Sequence, residues 1–278
     1  MADSILHYFE LAPPPALRPY VRCIWRMRGA PEHGAPGEPI IPDGCAELVL
    51  NLGDAFVRHE SDGANHQPLR LVAGQITRAV TIQPSGAIDL WGVRFHPWGA
   101  APFFGFSGAE MQDRLTSLSD VAASLERELS DVGDARSEQA RYDVICAQLT
   151  GHLRRARVPE RRVPRLIARI VDHYEPFTVR GLARDAGISV RSVQLLFRDD
   201  VGLSPKQVHR IQRYQRALAI HRANPSLTWS AVATQAGYHD QAHLNHDSRD
   251  IAGCTPAELT GSRSGITEAF LSEDQPPR

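Results

Sequence analysis

Between positions 190 and 198, apolar side chains suited to a protein core alternate with polar side chains suited to nucleic acid. Val193, Leu196 and Phe197 follow steps of three and four residues, so they share one face of a helix. The opposite face carries side chains that hydrogen-bond base edges and hold phosphates. This outward set comprises Arg191, Ser192, Gln194, Leu195 and Arg198. The pattern predicts contact with DNA through one helix face.

The residues that precede this helix predict the turn that positions it. Leu182, Ala183 and Ala186 form an apolar face on a short helix, and Gly187 supplies the left-handed backbone that ends it. Ser189 can cap the helix that follows. A short helix, a glycine turn and a second helix are the plan of a helix-turn-helix.

The same pattern is written a second time. Residues 230–238 repeat the first helix and turn, and Gly237 lies 50 residues after Gly187. The first copy closes with Gly-Leu-Ser-Pro at 202–205 and the second with Gly-Cys-Thr-Pro at 253–256. One copy is weak evidence, because many small helical domains contain alanine and glycine in this order. Two copies joined by one long helix are much more specific.

The paired motifs resemble the C-terminal DNA-binding domain of AraC/XylS-type bacterial transcription regulators, over roughly the last 40% of the chain. The resemblance implies two helix-turn-helix units on a rigid linker helix, from Pro205 to about Ala223. It also implies recognition helices that enter successive major-groove segments of double-stranded DNA, with RNA polymerase as a partner if the protein activates transcription.

Alignment to that motif assigns the DNA-contacting residues. The base-facing positions of the first unit are Arg191, Gln194 and Leu195. Those of the second unit are Gln241, Ala242, His243 and His246. The wider DNA-contacting set adds Ser189, Ser192, Arg198, Lys206 and Asn245.

The second copy departs from the family pattern. Ser248 stands where family members usually carry a core aromatic, which predicts a polar group or a small cavity under the recognition helix. Asp240, Asp247 and Asp250 surround the same helix with only Arg249 nearby, and carboxylates repel phosphates, although Asp240 can instead cap the helix. The first unit is therefore expected to supply most of the DNA affinity.

Charge is distributed unevenly along the 278 residues, although the formal net charge is −1. Residues 1–153 hold 12 arginines and 19 acidic residues, whereas residues 154–222 hold 16 basic and 6 acidic residues. Positive charge is thus concentrated around the first motif, as binding to DNA requires. Lys206 is the only lysine; this arginine bias suits DNA contact but also follows from genome composition.

Cysteine and apolar patterns argue against other classes of protein. Cys23, Cys45, Cys146 and Cys254 are scattered without metal-site spacing, which predicts reduced thiols and no metal or other cofactor. There is no apolar run long enough to span a membrane and no recognisable leader, so a cytoplasmic protein is expected.

The chain length predicts two domains in an α+β protein. Strands at 46–52, 69–74, 79–82 and 88–95 between turn residues predict a small antiparallel β-barrel or sandwich. Segments 42–48 and 92–97, together with the C-terminal motifs, resemble an uncharacterised N-terminal domain found in one branch of the same regulators.

Helical periodicity begins at about residue 110. Two amphipathic stretches within 115–153 can cover the barrel in cis or pair with a second subunit. The expected regulatory domain is 1–153, followed by a linker at 154–164, a DNA-binding domain at 165–262 and a polar, disordered tail at 263–278.

A small-molecule site is one interpretation of the barrel. Trp91, Arg94 and Trp98, with Trp25, could line a pocket for an anionic or aromatic effector, while the same aromatics could simply fill the core. The wider candidate set adds Asp43, Cys45, Glu47 and His96. A metal-binding barrel is disfavoured because the His-x-His pair with a following Glu is absent.

The sequence as a whole predicts a sequence-specific DNA-binding transcription regulator rather than an enzyme. Two alternatives remain. One is a protein-interaction module with weakened DNA binding, because of Ser248 and the acidic second unit. The other is a self-modifying thiol sensor or enzyme fused to a DNA-binding domain, although Cys45 has no activating cation beside it in the sequence.

Overall fold

The computed structural model describes residues 6–31, 34–60, 63–154, 162–172, 177–261 and 266–267. The described residues form ten strands: β1 (His7–Leu11), β2 (Val21–Gly29), β3 (Glu38–Ile40), β4 (Glu47–Asn51), β5 (Phe56–Glu60), β6 (Gly63–His66), β7 (Arg70–Ala73), β8 (Val80–Pro84), β9 (Ile88–Phe95) and β10 (Leu115–Ser117). They pair in two antiparallel sheets, in the orders β1-β2-β9-β4-β7-β10 and β3-β8-β5-β6. The predicted antiparallel N-terminal β structure is confirmed.

Helices follow the sheets. The first group is α1 (Ala101–Phe104), α2 (Gly108–Met111), α3 (Leu118–Glu128) and α4 (Glu138–Leu153). The second group is α5 (Arg162–Asp172), α6 (Val179–Asp185), α7 (Val190–Leu196), α8 (Pro205–Ala223), α9 (Trp229–Gln235), α10 (Gln241–Ala252) and α11 (Pro256–Gly261). This arrangement confirms the α+β class and the helical C-terminal region.

The prediction of a helix from Leu115 onward is wrong for the first three residues of that stretch. Leu115–Ser117 form β10, which pairs with β7 so that Leu115 lies opposite Ala73. The short strand completes the edge of the first sheet, and α3 begins only at Leu118. Tertiary pairing therefore outweighs the local pattern here.

Strand β9 separates two cores because its side chains alternate between the two faces of the sheet. Trp91, Val93 and Phe95 face α1, α3 and α4, in a core that also holds Leu125 and Leu149. Leu90 faces the other way, towards a smaller core with Trp25 and Phe56 from the two sheets. The apolar faces of α3 and α4 are thus buried in cis, and pairing of these faces with a second subunit is not needed to cover them.

The structure differs from the sequence-based expectation at the end of the linker and within the tail. Helix α5 begins at Arg162, with Pro164 in its first turn, where proline is tolerated, so 162–164 are helical. Residues 155–161 of the predicted linker lie outside the described residues, as do 263–265 and 268–278 of the predicted tail. Ile266 and Thr267 are buried, and the Thr267 backbone N–H donates to a Glu38 carboxylate oxygen at 2.7 Å. The prediction of a disordered tail is wrong for these two residues.

Candidate DNA interface and effector cavity

The first unit positions α7 through two side-chain caps. Thr178 Oγ1 accepts from the Gly181 backbone N–H at 3.0 Å, and Ser189 Oγ accepts from that of Ser192 at 3.0 Å. Gly187, with a φ of 65°, makes the left-handed turn between α6 and α7. The sequence therefore correctly predicted the cap at Ser189 and the left-handed turn at Gly187.

The outward face of α7 carries most of the predicted DNA-contacting side chains. Arg191, Gln194 and Leu195 are exposed, as are Ser189 and Lys206, whereas Val193 and Phe197 are fully buried. Ser192 is half-buried, with its hydroxyl 2.8 Å from that of Ser189. Arg198 is exposed and forms an ion pair of 2.7 Å with Asp199. The face can therefore donate to base edges through Arg191 and Gln194.

The second unit presents fewer of its predicted residues. Gln241, Ala242 and His246 of α10 are exposed, whereas Asn245 is half-buried. His243 is also half-buried and packs edge-on against Tyr238, with ring centroids 5.2 Å apart. His243 is thus partly used in holding α10 to its own unit.

Asp240 caps α10, as one of the two interpretations predicted. Its carboxylate accepts from the His243 backbone N–H at 2.8 Å. This hydrogen bond, followed by that from His239, lowers the pKa of the Asp240 carboxyl. The negative charge is therefore stabilised at the start of α10, where a helix dipole favours it.

The other two aspartates of the second unit are paired with α8, a partnership that the sequence did not predict. Asp247 lies 2.6 Å from Arg210 Nε and 2.8 Å from the Arg213 guanidinium, and only 5% of its side chain is exposed. Asp250 lies 2.6 Å from Arg210. Because Arg210 and Arg213 neutralise these carboxylates, the expectation that Arg249 is the only nearby fixed cation is wrong.

Ser248 is accommodated rather than left unsatisfied. It is fully buried, its hydroxyl donates to the Cys254 carbonyl at 2.7 Å, and it lies 2.9 Å from the hydroxyl of Tyr214 on α8. The predicted cost of an unpaired polar group therefore does not arise, because both partners of the serine hydroxyl are in place.

A cavity of about 200 Å³ lies between the two sheets. Five of the eight predicted effector residues line it: Trp25, Asp43, Cys45, Glu47 and Arg94. Trp25 crosses the floor directly over Gly92, where any side chain would overlap the indole ring. The glycine thus leaves room for the aromatic wall.

Trp91, His96 and Trp98 are not in the cavity lining. Trp91 lies three residues from Arg94 on β9, so the two side chains point to opposite faces, and Trp91 fills the helix-side core. His96 and Trp98 stack on each other at 4.9 Å beyond the end of β9. The prediction that these three side chains share a pocket with Arg94 is wrong, and strand alternation is the signal that separates Trp91 from it.

Arg94 is held by carboxylates within the cavity wall. Its guanidinium lies 2.6 Å from Glu47, its partner across β4 and β9, and 3.5 Å from Asp43. Burial alone would lower the pKa of Arg94, but Glu47 and Asp43 raise it well above the ordinary value. The guanidinium therefore stays charged inside the protein.

A buried thiol, that of Cys45, lies in the same wall. Burial raises the pKa of Cys45, and Asp43 raises it further. A protonated thiol is a poor nucleophile, which disfavours the thiol-sensor interpretation. Among the described residues, no group of three His, Cys, Asp or Glu side chains is arranged to hold a metal ion.

Helix α8 forms part of the cavity wall, and sequence reasoning missed its contribution. Gln212 Nε2 donates to the Asp43 carbonyl at 2.8 Å, and Gln215 Nε2 donates to the Pro42 carbonyl at 2.6 Å. Both glutamines line the cavity, as does Arg222. No local pattern signals contacts across about 170 residues of sequence.

Two further contacts join the N-terminal region to the helix-turn-helix units. Gly108 of α2 packs directly on the backbone of Val201 and Gly202. A Cβ atom on Gly108 would overlap the backbone of Gly202, and a Cβ atom on Gly202 would overlap the backbone of Gly108. The Ala79 backbone N–H donates to the Ile251 carbonyl at the end of α10, at 2.6 Å. The N-terminal region therefore contacts α8 and both units.

Within the part of the chain that the structure describes, every helix is too short or too polar to cross a membrane.

Comparison with known proteins agrees with this architecture. A domain of unknown function (DUF6597) matches residues 9–117, and a helix-turn-helix domain matches residues 182–262. The probable thc operon regulatory protein of Rhodococcus erythropolis is 30% identical over 116 residues, which are 38% of this chain and 35% of that protein. The match thus spans about a third of the relative's length.

A solved structure of ToxT from Vibrio cholerae has the same overall fold, with a TM-score of 0.50 at 7% identity, covering 95% of this chain and 100% of ToxT. Residues 9–117 therefore match the DUF6597 domain and residues 182–262 match a helix-turn-helix domain, which agrees with the AraC/XylS-type resemblance of the paired motifs.

Proposed function

We propose that the protein is a sequence-specific DNA-binding transcription regulator, in which residues 165–262 bind DNA and residues 1–153 modulate that binding. The observation that carries this proposal is the pair of exposed helix faces, on α7 and α10, attached to the two ends of α8. A rigid spacer of this kind lets two recognition helices reach successive turns of the major groove.

The first unit supplies most of the affinity in this proposal. Arg191 and Gln194 are exposed on α7 and can form the hydrogen bonds that distinguish guanine and adenine. Lys206 at the start of α8 is exposed and can hold a phosphate. In the second unit, Asp247 and Asp250 engage Arg210 and Arg213, so those arginines serve the protein rather than DNA.

Modulation by the N-terminal region is supported by its contacts with the DNA-binding domain. The carbonyls of Pro42 and Asp43 are bonded to α8, and Gly108 packs on the end of the first unit. A change in the N-terminal region that alters these contacts would change how α7 and α10 are presented. One region regulates another when a bound molecule stabilises one of two such arrangements more than the other.

The experiment is selection of genomic fragments by the purified protein, followed by binding to the enriched site and to a scrambled copy at two salt concentrations. We expect one enriched motif and a steep loss of affinity with salt, because phosphate contacts release counterions. The Arg191→Ala/Gln194→Ala double variant should lose the preference for the enriched site.

A matched variant, Arg127→Gln, changes an exposed arginine on α3 and should retain the preference. Weak binding to all DNA without enrichment would contradict the proposal. It would favour the alternative of a protein-interaction module.

A further inference from the structure

The chain returns to the β-rich region after the last helix of the DNA-binding domain. Ile266 is 3% exposed and belongs to the core between the two sheets, together with Trp25 and Phe56. Thr267 is equally buried. We propose that residues 266–267 are a latch, which attaches the second helix-turn-helix unit to the sheets and keeps its recognition helix in position for DNA. The role in DNA binding rests on the function proposed above, whereas the attachment rests on the contacts of the latch.

The latch binds at strand β3, which is the edge of the second sheet. One side of β3 pairs with β8, and the other side has no neighbouring strand among the described residues. The Thr267 backbone N–H donates to Glu38 Oε2 at 2.7 Å, and the Thr267 hydroxyl donates to the Pro39 carbonyl at 2.9 Å. An edge strand and a buried carboxylate both need such partners. The two hydrogen bonds therefore fix the position of Ile266 in the core.

A short stretch of chain joins the latch to the second unit. Helix α11 ends at Gly261, and Leu259 of this helix is buried in the core of the second unit. Five steps of chain lead from Gly261 to Ile266, and an extended chain of this length reaches at most about 18 Å. While the latch is bound, the end of α11 therefore stays within this distance of the core between the sheets. A short tether also favours rebinding of a released latch, because it keeps the effective concentration high.

Two further contacts of the β-rich region converge on the same unit. Ile41 is buried in the core of the second unit, with Tyr214 and Leu218. The Ala79 backbone N–H donates to the Ile251 carbonyl at 2.6 Å, in the last turn of α10, where carbonyls lack a partner within the helix. The β-rich region thus completes both the core of the second unit and the end of its recognition helix. Release of the latch should loosen these contacts, because all of them join the same two parts of the molecule.

The first unit meets the β-rich region at other places. Gly108 packs on Gly202, and Trp98 packs against the core of the first unit. Neither contact involves the C-terminal segment, so loss of the latch should loosen the second unit more than the first. A loosened α10 has no fixed spacing from α7, and DNA must then order it at an entropic cost. The latch therefore favours reading of DNA by both units together.

Hydrogen exchange in the full chain, without DNA, tests the attachment. In the wild type, the Thr267 and Ala79 amides should both be protected and should exchange with the same dependence on urea, since one opening breaks both hydrogen bonds. Exchange of Thr267 at the rate of an unstructured amide, with Ala79 still protected, would show that the latch is not bound. This measurement needs no variant.

A double variant, Ile266→Ala/Thr267→Ala, removes the side-chain contacts of the latch. Amides of residues 241–261 should exchange at least about tenfold faster than in the wild type, and those of 179–196 less than about threefold faster, because the opening of the second unit becomes easier. The matched control, Ile266→Val/Thr267→Ser, keeps a branched apolar side chain and a hydroxyl and should resemble the wild type. Unchanged exchange in the alanine variant, or equal acceleration in both units, overturns the latch.

Hydroxyl-radical footprinting on the enriched site tests the consequence for DNA. The alanine variant should lose protection of the groove segment that faces α10 and keep protection of the segment that faces α7, whereas the control variant should keep both. A complete footprint despite faster exchange would overturn the role of the latch in DNA binding. Absence of any specific footprint in the wild type would instead contradict the regulator function and leave the exchange result standing.

Discussion

The two helix-turn-helix units share a backbone plan but use their charged residues differently. In the first unit, Arg191 and Lys206 are exposed to solvent. In the second, Asp247 is buried between Arg210 and Arg213, so the charges fix α10 to α8. Arg191 and Lys206 of the first copy are thus exposed, whereas Arg210 and Arg213 are paired with carboxylates of the second copy.

The cores of the two units differ at equivalent positions. Phe197 and Ser248 each lie eight residues after the capping residue of their recognition helix. Phe197 is held by apolar contacts and Ser248 by hydrogen bonds to Tyr214 and Cys254. The comparison teaches that a repeated backbone can be stabilised by burial in one copy and by a polar network in the other.

The largest expected effect comes from truncating Phe197, and its equivalent Ser248 serves as the comparison. Phe197→Ala should lower the free energy of unfolding by about 3–4 kcal/mol, because it leaves a cavity in an apolar core. Ser248→Ala should cost about 1–2 kcal/mol, because it removes one hydrogen-bonding partner of a buried pair. Urea denaturation of both variants measures the difference, and equal losses would break the distinction between the two cores.

Removal of the buried carboxylate of the second unit should have the next largest effect. Asp247→Ala leaves Arg210 and Arg213 without their shared partner and should cost about 2–3 kcal/mol of unfolding free energy. Asp199→Ala is the matched control in the first unit, where the ion pair with Arg198 is exposed and should contribute less than about 1 kcal/mol. A loss at Asp199 as large as that at Asp247 would contradict the proposed division of charge.

DNA affinity should separate the recognition faces. Gln194→Ala should weaken binding to the selected site by about 1–2 kcal/mol, because a base contact is lost. His246→Ala, also at an exposed position, should weaken it less than about threefold. Fluorescence anisotropy at one fixed salt concentration measures both, and equal losses would show that the second unit reads DNA as strongly as the first.

The smallest expected effect is a dependence on pH confined to the second unit. Its cap, Asp240, has a folded-state pKa below the ordinary 3.8, mainly because it accepts the His243 N–H. The stability that it contributes is therefore present above that ordinary value and is lost as the pH falls below it. Ser189, the cap of the first unit, does not titrate in this range.

Unfolding of wild type and Asp240→Ser between about pH 5 and pH 3 tests this sign. The wild type should lose more stability than the variant as the solution becomes acidic. An identical decline in both proteins would show that the Asp240 carboxylate is not responsible.

Local patterns in the sequence predicted much of the molecule, because caps, turns and alternation act over a few residues. Gly187 and Ser189 fix the start of α7, and the predicted strand at 88–95 is β9. Asp43, Cys45 and Glu47 are two residues apart and all line the cavity, and the alternation of side chains along a strand likewise places Trp91 and Arg94 on opposite faces.

The rest depends on contacts between distant segments. Gln212 and Gln215 reach the cavity only because α8 docks on the segment 41–45. The pairing of Asp247 with Arg213 likewise depends on the angle between two helices. Such contacts produce no regular residue spacing in a single sequence. The sequence alone therefore predicts that acidic residues near a recognition helix repel DNA.

The contact of Gly108 with Gly202 also has a mechanical consequence. Most surfaces between domains include long side chains that change rotamer and absorb small shifts, as the Arg–Asp contacts of the second unit can. At Gly108 the two main chains touch with no side chain between them. A displacement of α2 would therefore press directly on the main chain at the end of the first unit, because no side chain lies between them to absorb it.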